Sequence, residues 1–212
     1  MRVLVLFLCL GFVTTGQSQE SPLRHSLSIS IISSEYIQQA MNQHVPGQNF
    51  DWRSFSEITY RLKTGQDYYW SAGITYSNQE IDDNCHDCND GLYGVGELRE
   101  LRVASGVGKN FPLLNNVFIP FLEINLSYSS WRYIADLQGG FGGTGYFLDK
   151  TGNSRGLGPV MGFEIRPHKH LGVKVFGRFE VLWDEFRTAG SSSISGSLSR
   201  DLGAGAAVAL HF

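Results

Sequence analysis

Long apolar runs are what this chain most lacks. Beyond Val13 nothing approaches the ~20 consecutive apolar residues that a membrane-spanning helix requires. A dominant charge sign is missing as well. Lys and Arg total 17 and Asp and Glu 20, a formal net of −3, so no basic surface suggests a nucleic-acid partner. Cysteine is scarce at three residues, and Cys85 and Cys88 form a lone C-x-x-C without the second pair of a zinc ribbon. No segment of useful length repeats its apolar residues at the 3.6 period of a helix.

The amino end reads as a secretory signal, residues 1–18. Arg2 is the charged start, Val3 to Val13 the apolar centre, and Gly16-Gln17-Ser18 supplies small residues for cleavage before Gln19. Cys9 is followed by Leu10 and does not match a lipoprotein acceptor. Residues 19–212 suit one domain.

What is present is a period of two. In the final segment Leu198, Leu202, Ala204, Ala206, Val208, Leu210 and Phe212 share one parity; Ser199, Asp201, Gly203, Gly205 and His211 share the other. That is a β-strand with one apolar and one small or polar face. Seven earlier segments alternate likewise, within 26–31, 57–63, 70–77, 100–108, 118–129, 157–166 and 171–183. Ser105 interrupts the apolar face of the fourth. The connections alternate between long (38–51, 78–97, 131–155, 184–195) and short (65–67, 110–116, 167–170), as in an up-and-down barrel with short turns on one side of a membrane. Averaged hydropathy hides such strands, so the low mean hydropathy does not exclude a membrane protein.

A soluble lipocalin-like barrel would show the same parity with its apolar face inward. Three features oppose it. Tyr60, Trp70, Tyr76, Tyr128 and Trp183 lie near strand ends on the apolar face, where amphipathic rings meet a membrane interface. Gly73, Gly106, Gly108, Gly158, Gly162, Gly172, Gly203 and Gly205 lie on the polar face, of little use on a solvated wall but able to make room in a narrow lumen. The polar face also carries Arg61, Lys63, Arg102, Arg166, Lys174 and Arg178 against Glu57, Glu100, Glu123, Glu164, Glu180 and Asp201. An enclosed lumen needs such balance, because an unpaired buried charge is very unfavourable. Pro120 and Pro159 are expected near a strand end or a bulge, since a closed ladder has no free edge.

The closing segment resembles the last strand of Gram-negative outer-membrane barrels, in which a terminal Phe and apolar residues two and four places before it are read by the insertion machinery. Here those are Phe212, Leu210 and Val208. The whole pattern resembles the small eight-stranded outer-membrane barrels of the OmpA-transmembrane or OmpX type. The resemblance implies an all-β, antiparallel up-and-down barrel in the outer membrane, termini periplasmic, in contact with outer-membrane lipids and lipopolysaccharide. It implies no cofactor. Its function would be non-enzymatic, in envelope structure or in presenting external loops. A narrow channel and a lipid-modifying enzyme are the alternatives.

Few residues suggest chemistry. Cys85 and Cys88 fit a local disulfide in an oxidising compartment. With His86 they could instead ligate a metal, and Asp82, Asp83, Asp87 and Asp90 could hold Ca²⁺ weakly. His25, His168, His170 and His211 map to the periplasmic end. His44 and His86 fall on outer loops without a recognisable Ser partner, and Ser191-Ser192-Ser193 reads as a loop tip. The Gly139–Gly145 run lacks the Lys and the strand–helix context of a phosphate loop.

Overall fold

The computed structural model describes residues 24–34, 53–84, 92–139, 146–188 and 195–212. The expected signal peptide, Cys85, Cys88, His44, His86, Asp87, Asp90, 140–145 and Ser191–Ser193 lie outside them, as do the side chains of Asp82 and Asp83.

Eight strands follow one another: β1 His25–Ser34, β2 Arg53–Lys63, β3 Tyr68–Asn84, β4 Leu92–Asn110, β5 Phe118–Gly139, β6 Tyr146–His168, β7 Leu171–Thr188 and β8 Ser195–His211. Each pairs antiparallel with its neighbour in sequence, and β8 returns to β1 to close the barrel. Closure satisfies every edge, the condition for crossing lipid with strands.

The register carries the alternation around the wall. Ile29 lies opposite Ile58, Ile58 opposite Ile74, Ile74 opposite Val103 and Val103 opposite Tyr128. These side chains face outward and are exposed or nearly so, as are Leu122, Ile124, Leu126, Val173, Val175, Leu202 and Leu210. The opposite parity is buried and polar: Ser28, Ser30, Thr75, Arg102, Glu123, Lys174, Glu180 and Asp201. A soluble barrel buries its apolar face, so this inside-out distribution fits lipid around the wall and excludes the lipocalin-like arrangement.

The eight strands expected from alternation are all present, but β3 to β7 reach well beyond the expected segments. The segments 78–97, 131–155 and 184–195 were expected as long connections. Strands β3 to β7 run deep into them, leaving only 85–91, 140–145 and 189–194 between strands. The cause is a reversal of polarity. Above Tyr76, Tyr128 and Trp183 the outward residues become Asn78, Glu80, Ser130, Arg132 and Glu185, while Leu98, Trp131, Tyr133 and Leu182 turn inward and are buried. The wall there has the polarity of a soluble barrel. A parity test anchored on outward apolar residues stops at the change of solvent.

Ser105 keeps its place in the fourth strand because a neighbour satisfies it: Trp70 Nε1 donates to its hydroxyl at 2.9 Å. Pro120 is near the start of β5, where expected. Pro159 corrects the expectation, for it sits mid-strand in β6, paired with Ile124 of β5. The β6–β7 ladder skips from Leu157↔Val181 to Val160↔Arg178 without a register shift, and the one bulge lies further on, between Ile165 and His168. The missing N–H of proline therefore falls in a local gap of the ladder. Beside it, the Phe179 carbonyl approaches Gly158 so closely that no Cβ would fit.

Candidate functional site

The lumen is stacked in layers. In the terminal half of the barrel, Tyr69, Phe121 and Val160 form a buried cluster with Phe176 against it. The Arg61 guanidinium lies 4.4 Å from the centroids of both the Tyr69 and Phe121 rings. It reaches Glu123 at 3.0 Å, and Ser71 donates to the same carboxylate at 2.7 Å. Gly108 leaves space for the Tyr69 ring, and Gly205 for that of Phe176.

The central layer turns on a conflict and its resolution. Glu180 of β7 and Asp201 of β8 are direct cross-strand partners, both fully buried. Like charges so placed repel. Arg102, from β4 on another part of the wall, reaches both, pairing with Glu180 and lying 3.5 Å from Asp201. Arg178 adds contacts to Asp201 at 3.1 Å and to Glu57 at 3.7 Å. Ser34 and Ser127 donate to Asp201 and Glu180 respectively. A charge-assisted set of this kind is favourable only while complete.

Towards the termini Glu164 gathers a second set: Arg166 at 2.9 Å and His211 Nε2 at 2.7 Å. Gly172 lies beneath its carboxylate. Of the inward charges expected from sequence, Lys63, Glu100 and Lys174 form no ion pair among the described residues. Lys63 ends β2 at the mouth. The lumen thus brings together Glu57, Arg61, Arg102, Glu123, Glu164, Arg166, Arg178, Glu180 and Asp201 through ion pairs across several strands.

Sequence parity missed the third layer. Leu98, Trp131, Tyr133 and Leu182 cap the charges on the far side from the termini. Trp131 lies over Gly152 and Tyr133 over Gly96, the two glycines supplying the room that bulky rings need. Those paired small and large residues, at Gly152↔Trp131 in the register, were the available signal. Gly152→Val should force the ring aside and destabilise the barrel by about 1–3 kcal/mol, the usual cost of overpacking. A lowered urea midpoint would show it. An unchanged midpoint would mean that Trp131 does not lie over Gly152.

Outside, at the level of that cap, Arg99 pairs with Glu97 at 2.8 Å and Arg132 with Asp149 at 2.7 Å. Hydrogen bonding from Arg132 holds the Asp149 carboxyl below its ordinary range, and Arg99 does the same for Glu97. Arg99 and Arg132 are register partners on β4 and β5. Below them Tyr128 donates to Asn153 at 3.0 Å, its ring on the apolar band and its hydroxyl on the polar wall, as an interfacial aromatic should.

Val208, Leu210 and Phe212 all face outward at the terminal end. His25 stacks on Phe212 with ring centroids 5.8 Å apart and lies 2.6 Å from the Tyr60 hydroxyl. His168 and His170 are neighbours on the β6–β7 turn. No group of three His, Cys, Asp or Glu side chains that could hold a metal occurs among the described residues.

No protein-family model matches the chain, and no curated protein does. Solved structures do. It is similar to neisserial surface protein A at 13% identity, covering 92% of this chain and 100% of that one with a TM-score of 0.49. It is similar to Ail, the attachment invasion locus protein of Yersinia pestis in complex with the heparin analogue sucrose octasulfate, at 11% identity, 91% and 100% coverage and a TM-score of 0.46. The outer-membrane protease OmpT of Escherichia coli matches at 9% identity, 94% and 100% coverage and a TM-score of 0.45. What marks this chain as a membrane barrel is its own distribution of apolar and charged side chains.

Proposed function

We propose that the protein is an integral, non-enzymatic outer-membrane barrel that serves the envelope structurally and holds its far-end connections out to a partner. The observation that carries this reading is the filled lumen. An aromatic layer, a bridged charge layer and an apolar cap occupy it in turn, which supports a barrel that does not conduct. A polar cavity of about 30 Å³ remains, room for a few waters.

In this reading the termini and the short connections 64–67, 111–117 and 169–170 face the periplasm. Val208, Leu210 and Phe212 serve the assembly machinery, and Arg99 and Arg132 meet lipopolysaccharide phosphates where the apolar band ends. The described histidines support the non-enzymatic side. His25 is engaged by Tyr60 and His211 by Glu164, each at the terminal end and far along the strands from the outer connections.

Planar-bilayer recording tests the plug. The purified barrel should give little or no steady current. A large, reproducible conductance would overturn this reading in favour of a narrow channel.

A further inference from the structure

We propose, resting on the reading of the outer wall as lipid-facing, that the β4–β5 hairpin with Lys109 is a docking surface for acidic phospholipid at the terminal rim. Three short connections border that rim. Thr64, Gly65, Gln66 and Asp67 make one of them, and Lys169 and His170 another, all but the glycine polar. The third, residues 111–117, is apolar and displayed. Phe111, Leu113 and Val117 are exposed, and Leu114 at the tip is 76% exposed. The backbone is built to hold them out. Phe111 N–H donates to the Pro120 carbonyl at 2.8 Å, Leu113 and Phe118 bond each other reciprocally, and Arg166 N–H donates to the Val117 carbonyl at 2.8 Å. Leu114, Asn115 and Asn116 have φ of 50°, 55° and 67°. Asparagine tolerates that left-handed region, whereas leucine enters it at a conformational cost. An apolar side chain therefore stands in water at a position whose backbone favours a polar one.

Continuity says what covers it. Phe118, beside the hairpin, packs on Phe163 with ring centroids 5.4 Å apart, and Pro120 and Leu122 lead from it into the apolar band. The patch is thus the edge of a wall that meets hydrocarbon, not an island ringed by polar residues. Charge says which lipid. Lys109 Nζ lies 5.2 Å from the Tyr68 ring centroid and 5.5 Å from that of Phe111, so its charge is held against the apolar edge. Lys63, Lys109 and Lys169 form no ion pair among the described residues, and Arg166 is committed to Glu164. Counted with Arg24, four cations at this rim face two anions, Asp67 and the terminal carboxylate of Phe212. The outer wall at the far end differs, since Arg99, Arg132 and Arg155 each have an acid there. A phosphodiester with one uncompensated negative charge fits Lys109, with its acyl chains along Phe111, Leu113 and Phe118.

The test uses Leu113→Trp and, as a control in the band on the same strand, Val107→Trp. Each is folded into vesicles of equal parts phosphatidylcholine and phosphatidylglycerol, with bromine on the chains of one lipid or of the other. Both leaflets then have one composition, so the direction of insertion does not matter. Emission in excess of the parent's should be quenched by either lipid in Val107→Trp. In Leu113→Trp the quenching should report about fivefold enrichment of phosphatidylglycerol, the preference one basic residue confers beside an anionic surface. Adding Lys109→Gln should remove the enrichment and leave the quenching. Should Leu113→Trp fail to fold, Phe111→Trp replaces it with the same readouts. Equal quenching by the two lipids, or enrichment that survives Lys109→Gln, would overturn the proposal. So would a Leu113→Trp that neither lipid quenches while Val107→Trp is quenched, for the hairpin would then stand in water, open to a soluble protein. An unquenched Val107→Trp would instead refute the lipid-facing wall itself, and the proposal with it.

Discussion

Val175→Arg should make folding into a bilayer less favourable by about 2–4 kcal/mol, the midplane value for a lipid-facing charge. Val175 sits outward on β7 between Ala206 of β8 and Phe163 of β6, well inside the apolar band. An arginine there can neither snorkel to the near rim without distortion nor find a partner, because every outward neighbour is apolar. Asn153→Arg is the control. Asn153 also faces outward, but at the level of Tyr128 and beside charged Arg155, and the substitution should cost close to nothing. Urea titration of both variants in lipid vesicles measures the difference. Equal stabilities would mean that the outer wall does not meet hydrocarbon.

Arg102→Met should be as damaging by a different route. It leaves Glu180 and Asp201 buried, opposed and deprived of the guanidinium that reaches both. Breaking a buried pair by removing one partner costs about 3–5 kcal/mol. Arg178 still contacts Asp201, so the loss falls mainly on Glu180. Adding Glu180→Gln to Arg102→Met should therefore recover part of the stability, although two charged groups have then been removed. If the double variant is less stable than the single one, Arg102 contributes through packing and the electrostatic account of the central layer is wrong.

Much of this architecture was legible in the residues. A period of two needs only local sequence, so all eight strands could be found, and the inward charges with them. Ser105 looked like a fault only because its donor, Trp70, lies 35 positions away in sequence. Partnerships across the lumen were not legible. Arg102 meets Glu180 at a separation of 78, set by strand tilt and closure rather than by any spacing. The far ends of the strands were hidden for another reason. Trp131 and Tyr133 have the parity of Glu123 and Ser129, not of Leu126 and Tyr128. Their place becomes intelligible only when the surrounding solvent is known to change from lipid to water midway along β5. Pro159 was misplaced because a local gap in a ladder leaves no trace in composition.

That change of solvent also sets a height. From Tyr128 to Gly139, β5 continues as paired strand beyond the apolar band. At about 3.3 Å per residue, and allowing for tilt, this lifts the β5–β6 connection on the order of 25 Å above the edge of the apolar band. The protein carries a rigid pedestal, stiffened inside by rings and outside by the Arg132–Asp149 and Arg99–Glu97 pairs. Residues at its top can vary without disturbing the part that must dissolve in hydrocarbon. Sequence change in the connections and constraint in the bilayer are thereby separated by a stretch of wall that belongs to neither.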